Sequence, residues 1–272
     1  MTAETEEPDP TESLLAFFAS EVTRVRTELG LSQEKTAKLA HTTQSMLSKI
    51  ENCKRVPSED LAIDLDAAFG TRGHFTRLYP LVLRFAYPSW FLPFLDLERD
   101  ATSVRTFESQ LIPGLLQTEQ YARAVFAPVR PDNLEALVAA RVTRQDILEG
   151  EDRPRLWVII DEQVLIRHVG GAEVMGPQLE RLLSAGEDPR TVIQVVPQRV
   201  AVHAGLAGPF TVLGFDEGPD VLYVEGFSQG RIALDGAELV DAARAYDLLR
   251  ADALSHAESA RLIGAHLEGL ST

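Results

Sequence analysis

The residues of this chain best suited to chemistry are short polar side chains that share one helix face: Gln44, Ser45, Ser48, Lys49 and Asn52, with Thr43 just before them. At i, i+3 and i+4 spacing they stand opposite Leu47 and Ile50, which point inward. Their types suit the edges of base pairs. Gln offers a bidentate amide to adenine, Lys a donor to guanine or phosphate, and Ser or Thr either polarity or a methyl contact, a combination that fits a DNA major groove. The plain alternative is a helical hairpin whose polar face is merely solvated.

The elements that must position these residues are legible around them. Residues 31–57 read as two short helices joined by a tight turn near His41. Ser32 can cap the first and Glu34 favours its first turn, while Thr42 or Thr43 can cap the second. Before them, Leu14, Phe18, Val22, Val25 and Leu29 form one stripe of a helix closed by Gly30. After them, Ser58 caps a helix with Leu61, Leu65, Ala68 and Phe69 on its buried side and Gly70 at its end.

At this point the stretch resembles the helix-turn-helix of the xenobiotic-response-element (XRE) class, with the repressor and Cro-like fold. The motifs that carry the resemblance are Ser32-Gln33, Ser48-Lys49-Ile50-Glu51-Asn52 and Val56-Pro57-Ser58. Three positions depart from that pattern: Thr36 stands where an apolar residue is usual, and His41 and Cys53 stand where Gly is usual. The resemblance implies that Thr43, Gln44, Ser45 and Lys49 reach base edges, with Ser48 on the same face, and that Gln33 and Asn52 lie at phosphates. It further implies a homodimer on double-stranded DNA, on a near-palindromic operator with half-sites about one helical turn apart.

Charge agrees with a small reading head on an acidic body. The 272 residues carry a net charge of −15, which argues against indiscriminate binding to phosphates. Between Glu12 and Val56, however, Arg24, Arg26, Lys35, Lys38, Lys49, Lys54 and Arg55 outnumber Glu12, Glu21, Glu28, Glu34 and Glu51. An apolar fraction of 45% can fill proper cores, and the length suits two domains. No long apolar run or basic leader is present, so a cytoplasmic protein, nucleoid-associated when bound to DNA, is expected. The single Cys53 excludes an internal disulfide, and no spacing of Cys and His suggests a metal.

The expected domains are an acidic disordered tail at 1–10, the helix-turn-helix domain at 11–70, an aromatic connector at 71–93 and a regulatory, partner-binding domain at 94–272. The fold class is mainly α followed by α+β: an N-terminal five-helix head, then a larger domain whose mostly antiparallel sheet is covered by helices. The connector, with Phe75, Tyr79, Phe85, Tyr87, Trp90 and Phe91 among Pro80, Pro88 and Pro93, reads as irregular. Its rings could pack head against body, against a second copy, or simply inside the body. Residues 95–107 read as a helix with Glu98, Arg99, Asp100 and Arg105 largely outward, followed by a helix capped by Thr118 and one over 131–148. Arg141, Arg144, Arg153 and Arg155 near the last could hold an anion, but a solvated face is the simpler reading. Strands are expected at 156–160, 191–196, 210–215 and 221–225, with a fifth at 230–234, and helices at 176–185, 236–250 and 255–267. Ser255 with Glu258 has capping-box spacing.

The second half also resembles a family. Its PGLLQTEQYARA core between Phe107 and Phe126, then Asp161-Glu162, Val169-Gly170-Gly171, Gln178-Leu179, Val196-Pro197, Gly208-Pro209-Phe210 and Tyr223-Val224-Glu225, are similar to the C-terminal domain of Scr-type, antitoxin-like regulators of actinobacteria. That resemblance implies a small protein partner encoded nearby, in an antitoxin-like or developmental arrangement. A repressor whose body senses a small molecule is the alternative.

Enzymatic chemistry has weaker support. Asp161, Glu162, Arg167, His168, His203 and Glu225 are titratable or charged, and carboxylates with a histidine could exchange protons. Asp161 more simply caps the segment after it, and His203 has no partner at a recognisable spacing. No phosphate loop, nucleophile elbow, zinc-protease helix or dinucleotide fingerprint occurs. The expectation is therefore a non-enzyme with no cofactor, no metal and no catalytic residue.

Overall fold

The computed structural model describes residues 8–227 and 229–270, and most of the expected acidic tail lies outside them. The chain divides into two compact units, Met1–Ser89 with Phe126–Thr143, and Trp90–Val125 with Arg144–Thr272.

In the first unit, four helices begin on a hydroxyl. Ser13 opens α1 (Leu14–Glu28), Ser32 opens α2 (Gln33–Leu39), Thr43 opens α3 (Gln44–Glu51) and Ser58 opens α4 (Glu59–Phe69), each accepting an amide of the first turn. Each is followed by a left-handed residue, Gly30, His41, Cys53 or Gly70. The next amide then reaches back five residues: Leu31 to Arg26, Thr42 to Ala37, Lys54 to Lys49 and Thr71 to Asp66. Both ends are thus satisfied, which matters most for α2 and α3, at 7 and 8 residues too short to persist alone.

The stretch at 71–93 is not irregular. It forms α5 (His74–Ala86), with Phe75, Tyr79, Val82 and Ala86 buried at i, i+4, i+7 and i+11 and Pro80 exposed. A proline inside a helix costs about 3 kcal/mol, and burial of large apolar side chains at roughly 1.5–3 kcal/mol each outweighs it. The aromatic rings of the region serve two separate cores. Phe75 meets Phe18 and Phe69 at centroid distances of 5.4 and 5.7 Å, whereas Phe91 and Phe94 meet Tyr223 at 5.9 and 4.2 Å.

The second unit opens with α6 (Leu92–Asp100), and here the expected helix over 95–107 is corrected. Residues Ser103–Glu108 form β1, a strand paired on both sides, with Val104 opposite Leu156 and Leu213. Val104, Arg105, Thr106 and Phe107 fit either period locally, and partners supplied from far along the chain decide for the strand. Glu98, expected outward, is 1% exposed. It receives both arms of Arg144, with Nη2 at 2.6 Å, so the half-buried Arg144 is the partner of a buried carboxylate rather than part of a solvated face.

After α7 (Glu119–Phe126), whose Tyr121 amide bonds the Thr118 hydroxyl as expected, comes α8 (Leu134–Thr143). This helix stops short of residue 148 and gives way to a tight turn over Arg144–Leu148. The expected strands are β2 (Arg155–Asp161), β3 (Thr191–Val196), β4 (Phe210–Gly214), β5 (Val221–Val224) and β6 (Arg231–Ala233). With β1 they form a six-stranded sheet in the order β3-β2-β1-β4-β5-β6. Three of its five pairings are antiparallel, and the β1–β2 and β2–β3 pairs are parallel.

Alternate residues of the strands build opposite faces. Val104, Val158, Ile160, Ile193, Val195, Leu213 and Tyr223 join the main core with α10 (Ala172–Gly186) and α12 (His256–Gly269), which follows the short α9 (Gln163–Ile166) and α11 (Gly236–Asp252) in the fold. Phe107, Ile159 and Val196 face the other way, against Tyr246 and Leu249 of α11. The capping box at the start of α12 is present, with Ser255 and Glu258 bonding each other's backbone.

Candidate nucleic-acid interface

The outer face of α3 is built from the inside. Leu47 and Ile50 are 0% and 1% exposed, which leaves Thr43, Gln44, Ser45 and Lys49 exposed and Ser48 and Asn52 half-buried. Thr43 uses its hydroxyl oxygen on the Met46 amide at 3.1 Å and keeps its own hydrogen to donate. The left-handed turn residues His41 and Cys53, with φ of 47° and 58°, adopt the conformation for which Gly is usual. Burial, with Glu12 adding to it, pushes the Cys53 thiol up to about 11, so it stays protonated and unreactive at neutral pH.

What holds α3 at its angle is a buried carboxylate. Glu51, 6% exposed, accepts from Arg26 Nε at 2.6 Å and Nη2 at 3.1 Å, and from Gln33 Nε2 at 2.6 Å. Arg26 also donates to the Leu31 carbonyl at 3.1 Å. One group therefore ties α1, the start of α2 and the end of α3 together. Glu51 stands within a recognisable motif, but this role has no local signal in the sequence, because Arg26 lies 25 residues away.

Gln33 and Asn52, expected at phosphates, already bond within the head. Gln33 serves Glu51, and Asn52 turns its amide back on Ser48, 2.7 Å from the carbonyl and 3.4 Å from the hydroxyl. Thr36, where an apolar residue is usual, is 0% exposed, and its hydroxyl has no partner among the described residues. All four lysines of the chain, Lys35, Lys38, Lys49 and Lys54, fall in this region and are exposed. They give a set of point charges suited to phosphates.

The titratable cluster of the body is arranged differently. Asp161 accepts from the Gln163 amide at 2.8 Å, one residue before Glu162 at the N-cap of α9, and also bonds His203 Nε2 at 3.0 Å. His203 thus has a partner, contrary to expectation, supplied from 42 residues away. Its Nδ1 accepts from the Gly205 amide at 3.2 Å, so Nε2 carries the hydrogen given to Asp161 and no lone pair is left for a base. Glu162 accepts from the Gln198 amide at 2.7 Å and pairs with His266 at 3.2 Å. Arg167, His168 and Glu225 are exposed. No group of ligand-type side chains among the described residues could hold a metal ion.

Residues 91–265 match the family model described as a domain of unknown function, DUF5753. The chain belongs to the DUF5753 family. Ahead of that domain, residues 22–74 match a helix-turn-helix model, in keeping with an XRE-type head and a DNA-binding transcription regulator. No curated protein and no solved structure matches the DUF5753 chain. None of its described helices is long and apolar enough to cross a membrane.

Proposed function

We propose that the chain is a sequence-specific transcriptional regulator that reads a near-palindromic operator as a homodimer, with Thr43, Gln44, Ser45 and Lys49 at base edges. The observation that carries this reading is the outer face of α3, exposed and polar while Glu51 fixes the helix beneath it. The body acts without catalysis, binding a small protein encoded nearby and thereby setting when the head docks. In support, His203 has both ring nitrogens occupied. The acidic body and the confinement of lysine to the head favour weak binding to random DNA and dependence on specific contacts. This fits a cytoplasmic protein that associates with the nucleoid.

Selection of duplexes from a randomised pool by the full chain tests the reading. Enrichment of a two-half-site sequence, with the bound species a dimer by light scattering, is the expected result. Failure to enrich any sequence sinks it. Co-purification with the product of an adjacent short reading frame supports the partner assignment; release of DNA by a small molecule alone replaces it with a ligand sensor.

A further inference from the structure

Helix α8 lies outside the stretch that matches the helix-turn-helix model, at residues 22–74, yet it belongs to the reading unit. Ala136, Ala139 and Ala140 enter the same core as Leu47, Ile50 and Val56. Tyr87 donates to the Ala140 carbonyl at 2.7 Å, and Asn133 to the Phe85 carbonyl at 3.0 Å, which fixes α8 along α5. At its last residue, the Thr143 hydroxyl donates to Ala139 at 2.8 Å and accepts from the Val56 amide at 2.8 Å.

Val56 is 3% exposed and sits in the loop directly after the reading helix, so its amide has no ready recourse to water. Such a donor is costly to leave unmade, and Thr143 is what satisfies it. Donation to its own helix fixes which way the hydroxyl oxygen points, so the loop is held in one position. The next residue, Arg144, is locked in the second unit by the buried carboxylate of Glu98, at 2.6 Å from Nη2, under the rings of Phe91 and Phe94. One peptide bond thus separates a group that holds the reading helix's loop from a group that anchors the body.

We propose that Thr143 is a positioning residue for DNA reading, and that the step from Thr143 to Arg144 is where the state of the body reaches the reading helix. The inference rests on the DNA-reading assignment and goes beyond it by placing part of the reading apparatus in the middle of the chain. A loop free to shift lets α3 rotate, which weakens base contacts while the exposed lysines still meet phosphates.

The test uses the full chain and a duplex enriched by the wild-type protein from a randomised pool, beside a scrambled duplex of equal length. Thr143→Val should lower the ratio of specific to scrambled affinity about tenfold, a difference of about 1.4 kcal/mol, with scrambled binding and its salt dependence unchanged. Thr143→Ser, which keeps the hydroxyl, should restore the ratio. A two-glycine insertion between Thr143 and Arg144 should lower it likewise while both units keep their circular dichroism. If the wild type enriches no duplex, the DNA-reading assignment itself fails. If a duplex is enriched and Thr143→Val keeps the ratio, or loses specific and scrambled binding alike, or the insertion changes nothing, the present inference is overturned.

Discussion

Gln33 and Glu51, 18 residues apart, meet at 2.6 Å, and the carboxylate they share with Arg26 joins the first three helices of the head. A motif glutamate that reads as part of a DNA-contacting helix is in fact turned inward. The outer residues of α3 depend on it for their angle.

Glu51→Ala should therefore be among the most damaging single changes in the head. It leaves the Arg26 guanidinium, whose side chain is 16% exposed, without its carboxylate. Breaking a buried pair from one side costs about 3–5 kcal/mol, and Glu51→Gln, which keeps some of the hydrogen bonds, should cost less. Urea denaturation followed by far-ultraviolet circular dichroism reads both, and equal stability of Glu51→Ala and wild type would remove the network from the account of the fold.

Replacement of Gln44 by Ala should relax base choice at one position by about 1–3 kcal/mol and leave the remaining positions intact. Asn52→Ala should weaken all sites alike, because Asn52 secures the end of α3 through Ser48 rather than a base. Comparison of binding across single-base variants of a selected duplex separates the two. A uniform loss for Gln44→Ala would show that the reading face is misassigned.

Thr36→Val should stabilise the protein. The hydroxyl it removes is buried and without a partner among the described residues, so its desolvation is not offset. The gain expected is about 1 kcal/mol, the lower part of the range for an unsatisfied buried polar group. Thermal unfolding checks it, and a lowered midpoint would mean that the hydroxyl is satisfied after all.

Asp66 predicts an acid-sensitive head. Burial alone would raise its carboxyl, but hydrogen bonds from Thr71, Thr76 and the Phe75 and Thr76 amides overcome this and hold it down at about 2. The folded value lies below the unfolded one, so the stabilisation is fully present above about pH 4 and is lost as pH falls towards 2; it amounts to about 2 kcal/mol. Asp66→Asn should lower stability at pH 7 and flatten its fall between pH 4 and 2, as measured by denaturation across that range. A variant whose fall matches that of the wild type would assign the acid sensitivity elsewhere.

The features the sequence determined by itself are those settled within a few residues. Ser13, Ser32, Thr43 and Ser58 each bond an amide three residues on, and Gly30 and Gly70 end their helices for backbone reasons alone. The stripe through Leu47 and Ile50 likewise sets which face of α3 looks outward. The strands β2 to β6 are legible for the same reason, being β-branched or aromatic runs between turn residues.

The tertiary structure decided whatever depends on a distant partner. Ser103–Glu108 becomes a strand because β2 and β4 arrive on both sides, with Val104 set against Leu156 and Leu213. Arg144 turns inward to a half-buried position because Glu98 is buried beside it, and His203 acquires Asp161 across 42 residues. Most consequential, α8 joins a core made by residues far before it, and Thr143 reaches Val56 across 87 residues. Local spacing carries no record of such encounters, since they follow from how the buried faces of whole elements fit together.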